Sequence, residues 1–185
     1  MKRTILVTLL LLAFVLPGSL ASASGHVEWI KTYDPAQGEF PEGITVDHHG
    51  NLYVSIGPLS QIRKLSPNGM ENIFFQFPQG TGLAGLAVDV HDNIYVGTVA
   101  PANPDLHGVW RIDPQGVGQH LPGTGTMGLP PNGLAFDKRG NLYVTDSWVF
   151  GSDPAQGSIW RIPPGGKAEI WYRDVELLGG LGLIP

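Results

Sequence analysis

Cysteine is missing from all 185 residues, which excludes disulfides, thiolate metal sites and cysteine nucleophiles together. Positive charge is scarce: 11 Lys and Arg stand against 16 Asp and Glu, a formal net charge of −5. Nucleic acid and anionic membranes require a basic surface, so neither is expected as a partner. Beyond Leu16 there is no long apolar run and no helical spacing of apolar residues. What is abundant is glycine (26) and proline (16), interleaved with aromatic and β-branched stretches. That composition belongs to many short strands joined by tight turns, and not to disorder.

The first residues read as an export signal. Lys2 and Arg3 precede an apolar stretch from Ile5 to Leu16, and Ala21-Ser22-Ala23 offers the small residues that a signal peptidase needs. Cleavage after Ala23 is expected, giving a signal peptide over 1–23 and a periplasmic or secreted product. Pro17-Gly18 ends the apolar run short of the roughly 20 residues of a spanning helix, and no lipid-accepting cysteine follows. A retained N-terminal anchor is the alternative. After signal removal no membrane association is expected.

Internal repetition is the strongest signal. Glu42-Gly43-Ile44-Thr45-Val46-Asp47, Ala84-Gly85-Leu86-Ala87-Val88-Asp89 and Asn132-Gly133-Leu134-Ala135-Phe136-Asp137 are one pattern, each followed by a turn and a Leu/Ile-Tyr-Val strand at Tyr53, Tyr95 and Tyr143. A second motif trails each copy: Ile62-Arg63-Lys64-Leu65, Val109-Trp110-Arg111-Ile112 and Ile159-Trp160-Arg161-Ile162, each leading to a Gly-containing turn. The spacing predicts four antiparallel strands per repeat, over about 41–78, 83–122 and 131–174. Four-stranded units at this period are β-propeller blades, so the fold class is all-β, an incomplete propeller over 24–185. Tyr53, Tyr95, Tyr143, Trp110 and Trp160 are expected to pack blade against blade.

Propellers close with about four to eight blades, and three are visible here. The chain therefore reads as a fragment or truncation of a six-bladed propeller, closed by missing C-terminal blades. A half-propeller that pairs with a second copy is the alternative. His26 to Tyr33 is expected to be a lone strand ahead of the first repeat.

Phe40-Pro41-Glu42-Gly43-Ile44-Thr45-Val46-Asp47, with Pro131-Asn132-Gly133-Leu134-Ala135-Phe136-Asp137 and Asn141-Leu142-Tyr143-Val144-Thr145-Asp146, resembles the senescence-marker-protein/gluconolactonase-like (SGL) six-bladed propellers. The pattern is shared with NHL-repeat proteins. The resemblance implies a calcium-dependent hydrolase of lactones or related esters, gluconolactonase- or paraoxonase-like, with a small-molecule substrate. The first strands of the blades surround one axis, so the residue before each glycine forms a ring: Glu42, Ala84 and Asn132. The resemblance places Ca2+ there, with Glu42 and Asn132 as metal ligands, since calcium takes six to eight hard oxygen ligands. Asp146 is a possible pocket residue, and no acid/base residue is assigned.

Each site residue has a structural alternative. Glu42 is otherwise a loop carboxylate, Asn132 a turn residue after two prolines, and Asp146 an Asp that bonds local backbone. Asp47, Asp89 and Asp137 recur in every repeat and read as turn structure. His48, His49 and His91 read as surface residues, and His107 and His120 lack metal-ligand spacing. A noncatalytic extracytoplasmic NHL-like binding propeller remains the competing reading. It is motivated by Ala84 and by the absence at Ile44–Val46 of the gluconolactonase-type Glu-x-Pro-x-Trp pattern.

Overall fold

The computed structural model describes residues 27–100, 102–128, 130–146 and 157–174; the expected signal peptide lies outside them. These residues form three four-stranded antiparallel sheets and no α-helix. Blade 1 comprises β1 (Pro41–Val46), β2 (Leu52–Ile56), β3 (Gln61–Leu65) and β4 (Glu71–Gln76). Blade 2 comprises β5 (Gly82–Val88), β6 (Ile94–Val99), β7 (Gly108–Ile112) and β8 (Gly118–His120). Blade 3 comprises β9 (Pro131–Phe136), β10 (Leu142–Asp146), β11 (Gly157–Ile162) and β12 (Glu169–Asp174). In each sheet the strands lie in chain order. The first strands β1, β5 and β9 are neighbours across the blades, as blades arranged around a common axis require.

The first hairpin of each blade is held by its aspartate. In blade 1, Asp47 Oδ1 accepts from the backbone N–H groups of His49 and Asn51 at 2.9 Å, and Oδ2 accepts from Asn51 Nδ2 and the Tyr53 hydroxyl. Asp89 repeats all four bonds, with Tyr95 as the phenol. Asp137 accepts from Arg139 N, Asn141 N and Asn141 Nδ2. Gly50 and Gly140 take the left-handed φ of 79° and 80° that closes two of these turns. Blade 2 uses Asp92 there, at φ 61°, which frees its carboxylate to bind His48 N and Nδ1 of the neighbouring turn at 3.0 and 2.7 Å. The recurrent aspartates are therefore turn clamps, as their repetition suggested.

Two apolar layers hold the blades together. Between blades 1 and 2, Tyr53, Ile62, Phe77, Leu83, Leu86 and Ile94 form a buried cluster with Trp110 packed on it. Between blades 2 and 3 the layer includes Val109, Met127, Leu142, Val144, Trp160 and Ile162, with Tyr95 at its margin. Burying one such aliphatic or aromatic side chain contributes about 1.5–3 kcal/mol, so these layers dominate blade association. Edge-to-face rings cross both seams: Phe77 with Trp110 at 5.5 Å, and Tyr95 with Phe136 at 5.0 Å.

The strand expected at His26 to Tyr33 does not form in its described part, 27–33. A strand exists only against a hydrogen-bonding edge, and this segment docks by side chains instead. Lys31 Nζ lies 3.0 Å from Glu71 Oε2, and the Tyr33 hydroxyl donates to Glu71 Oε1 at 3.1 Å. Burial, reinforced by that bond to a carboxylate, pushes the Tyr33 phenol up to about 12.

Candidate functional site

Each first strand is interrupted near its start by the same irregularity. The β1–β2 register breaks between Pro41 and Ile44, β5–β6 between Leu83 and Leu86, and β9–β10 on the β10 side between Val144 and Asp146. Glu42-Gly43, Ala84-Gly85 and Asn132-Gly133 thus sit in β-bulges, which end regular pairing and re-aim the side chain. Glycine is required at two of these bulges by close approach of the next blade. A Cβ on Gly43 would fall 2.7 Å from Ala84 O, and one on Gly85 only 1.8 Å from Asn132 O.

The hydroxyl opposite the bulge completes the joint. Ser55 Oγ accepts from Gly43 N at 2.9 Å and donates to Ala84 O at 2.6 Å, tying the bulge of blade 1 to that of blade 2. Thr145 Oγ1 accepts from Gly133 N at 2.8 Å in blade 3. Blade 2 has Gly97 at this position, where a Cβ would meet Pro131 O at 1.8 Å.

These bulges set the positions of the candidate ligands. Glu42 and Asn132 are exposed, one on each side of the Ala84-Gly85 bulge in the intervening strand, while Ala84 is 5% exposed. Asn132 Oδ1 lies 3.5 Å from the Cβ position of Gly85, so its amide borders the middle blade. A carboxylate and an amide oxygen match calcium in kind, but two side-chain donors are fewer than the six to eight it takes. Among the described residues no group of three or more His, Cys, Asp or Glu could hold a metal ion. The remaining oxygens would be water or would come from outside the described residues.

Asp146 ends β10 opposite Pro131, at the same end of blade 3 as Asn132. It is 1% exposed. Its Oδ2 accepts from Gly128 N at 2.6 Å and from Trp160 Nε1 at 3.1 Å, while Oδ1 is buried without a hydrogen-bond partner. The other side of the same peptide unit is held by His107, an arrangement the sequence pattern did not reveal. Ala100 N–H donates to His107 Nδ1 at 3.3 Å, so Nε2 carries the proton it donates to Met127 O at 2.9 Å. The Met127–Gly128 peptide is therefore clamped between a blade 2 imidazole and a blade 3 carboxylate. His120 Nε2 in turn donates to His107 O at 2.8 Å. Nothing in the spacing of these histidines announces the clamp, because the partner is main chain.

No protein-family model and no curated protein matches the chain. Solved structures do match its fold. Virginiamycin B lyase from Staphylococcus aureus superposes with a TM-score of 0.54 at 20% identity, over 73% of this chain and 42% of that one. A gluconolactonase from Xanthomonas campestris gives 0.56 at 21% identity, over 73% of this chain and 48% of that one. A putative gluconolactonase gives 0.53 at 17% identity, over 71% and 48%. The chain thus spans less than half the length of each. Three four-stranded blades matching part of these larger proteins give this chain a β-propeller fold, shared with gluconolactonase and virginiamycin B lyase structures.

Proposed function

We propose that the chain contributes blades to a calcium-dependent hydrolase of lactones or related esters that acts after export. The single observation behind this reading is the pair of oxygen-bearing side chains, Glu42 and Asn132, at equivalent bulges at one end of the blades. Likeness to gluconolactonase structures supports it at the level of fold.

Glu42 and Asn132 would hold the ion, and bound calcium would supply the positive charge that stabilises an oxyanion developing on the substrate carbonyl. The chain's own task is positional. Because Gly43 and Gly85 let neighbouring blades approach backbone to backbone, and Ser55 bonds across them, the ring residues are carried on a packed joint instead of a free loop. The noncatalytic binding propeller is favoured by one residue, Ala84, which offers no donor at the middle position.

The test compares the full-length protein that carries these blades with its Glu42→Gln variant, by thermal melting with calcium and with chelator and by hydrolysis of a panel of lactones and aryl esters. A metal that binds the native state stabilises it by mass action, so calcium should raise the melting temperature of the parent and not of the variant. Identical melting of the parent with calcium and with chelator would remove the metal. Metal binding without hydrolysis of any substrate would leave the binding propeller.

A further inference from the structure

We propose that the cavity between blades 2 and 3, at the hairpin-turn end of the sheets, binds a short carboxylate through Arg111. It lies at the far end of β9 from Asn132, so it is separate from the ring position discussed above.

The internal repeat supplies the argument. Lys64, Arg111 and Arg161 occupy one place in the three blades, each paired in register with the hairpin tyrosine: Tyr53, Tyr95 and Tyr143. On the outermost strand each faces a different residue: Asn72, Gln119 and Glu169. In blade 3 the charge is met, since Arg161 Nε donates to Glu169 Oε1 at 2.8 Å. In blade 1 the Lys64 ammonium sits over the Tyr53 ring, 5.4 Å from its centroid.

In blade 2 the carboxylate of blade 3 is replaced by the neutral amide of Gln119. Arg111 has no ion pair with any described residue: its side chain hydrogen-bonds the Tyr95 phenol, and its Nε is buried without an acceptor. The adjacent Asp89 is fully engaged, taking donors from His91 N, Asn93 N, Asn93 Nδ2 and the Tyr95 hydroxyl.

Arg111 and Gln119 line a cavity of about 170 Å³ whose other walls include Tyr95, Leu121, Phe136 and Ile162. An adjoining groove carries Lys138 and Arg139 beside Asp89, Asp137 and His91. Asp137, like Asp89, spends its oxygens on its own turn. The site therefore offers a guanidinium with no carboxylate partner, a neighbouring amide and apolar walls. A guanidinium fork matches the two oxygens of a carboxylate, and the apolar walls match a short aliphatic tail.

The experiment titrates propionate into the full chain by calorimetry at constant ionic strength, with chloride and inorganic phosphate as comparison anions. Propionate is expected to bind saturably. Gln119→Glu installs the carboxylate that blade 3 already has, so it should weaken binding at least tenfold while keeping or raising the melting temperature. Arg111→Gln should weaken it similarly. The proposal is overturned if the parent gives no saturable heat, if Gln119→Glu binds propionate as well as the parent, or if phosphate binds more tightly than propionate.

Discussion

Leu86 and Ile44 stand at the same place in successive blades, yet Leu86 is 7% exposed and Ile44 63%. The difference is entirely the neighbour: Leu86 is covered by Tyr53, Ile62 and Phe77 of blade 1, and no described residue covers Ile44 to that degree. The opposite face shows the same contrast. Ser55 is 0% exposed, with its hydroxyl bonded to Ala84 O, whereas Thr145 in the corresponding position is exposed beside Tyr143, Ile159 and Trp171. Each blade thus carries both halves of one joint. Blade 1 presents Ile44, Val46 and Ile73 unpaired at one side, and blade 3 presents Tyr143, Thr145 and Trp171 at the other.

If those faces are two halves of the interior joint, the largest consequence is association. The chain alone is expected to self-associate at micromolar concentration, one copy's blade 3 face on another's blade 1 face, and Tyr143→Lys should shift it toward monomer. Sedimentation that finds a monodisperse monomer of the parent would break the comparison.

Glycine substitutions should separate a covered joint from an open one. Gly85→Ala drives a methyl against Asn132 O and is expected to cost about 3 kcal/mol by overpacking. Gly133→Ala meets only the Thr145 side chain, nearest at Oγ1, 2.7 Å, and should cost about 1 kcal/mol, since a χ1 turn of the exposed threonine moves that oxygen aside at the loss of its bond from Gly133 N. Urea denaturation of both measures the ratio, and equal costs would argue that the covered and the open joint do not differ. A smaller effect of the same kind is expected for the hydroxyls. Ser55→Ala should cost about 1–2 kcal/mol, because it strands the buried Ala84 carbonyl and the half-buried Gly43 N–H, and Thr145→Ala less than that.

The smallest effect is one of pH. Side-chain and backbone bonds from Asn141 hold the Asp137 carboxyl below its ordinary value of 3.8, and Asp89 is also lowered, its hydrogen bonds outweighing a large burial effect. The unfolded chain therefore takes up these protons first as acid is added. Their stabilisation is present above about pH 4 and is lost as pH falls through the depressed folded values. Denaturation midpoints that stay flat from pH 5 to pH 3 would contradict this.

Much of the architecture was legible because periodicity survives in the sequence: the Asp turns, the hairpin tyrosines and the Trp-Arg motif each mark a fixed strand. The bulges were not legible, since nothing in Glu42-Gly43 or Asn132-Gly133 states how near the next backbone lies. The lone strand expected at His26 to Tyr33, as one edge of a further blade, depends on partner strands that the sequence of the segment cannot show. Asp146 was weighed as a pocket residue or a turn residue. Its burial arises from Trp160 and Gly128, residues distant along the chain. That Arg111 has no carboxylate partner was hidden for the same reason, because it depends on whether the residue one strand away is Glu or Gln.

The bulge divides labour between two adjacent residues. Gly43 and Gly85 meet the neighbouring backbone, while the residue before the glycine, exposed at Glu42 and Asn132 and buried at Ala84, has been written three ways within one chain. A propeller built this way can exchange the chemistry at its rim one letter at a time, with the wall behind it left standing.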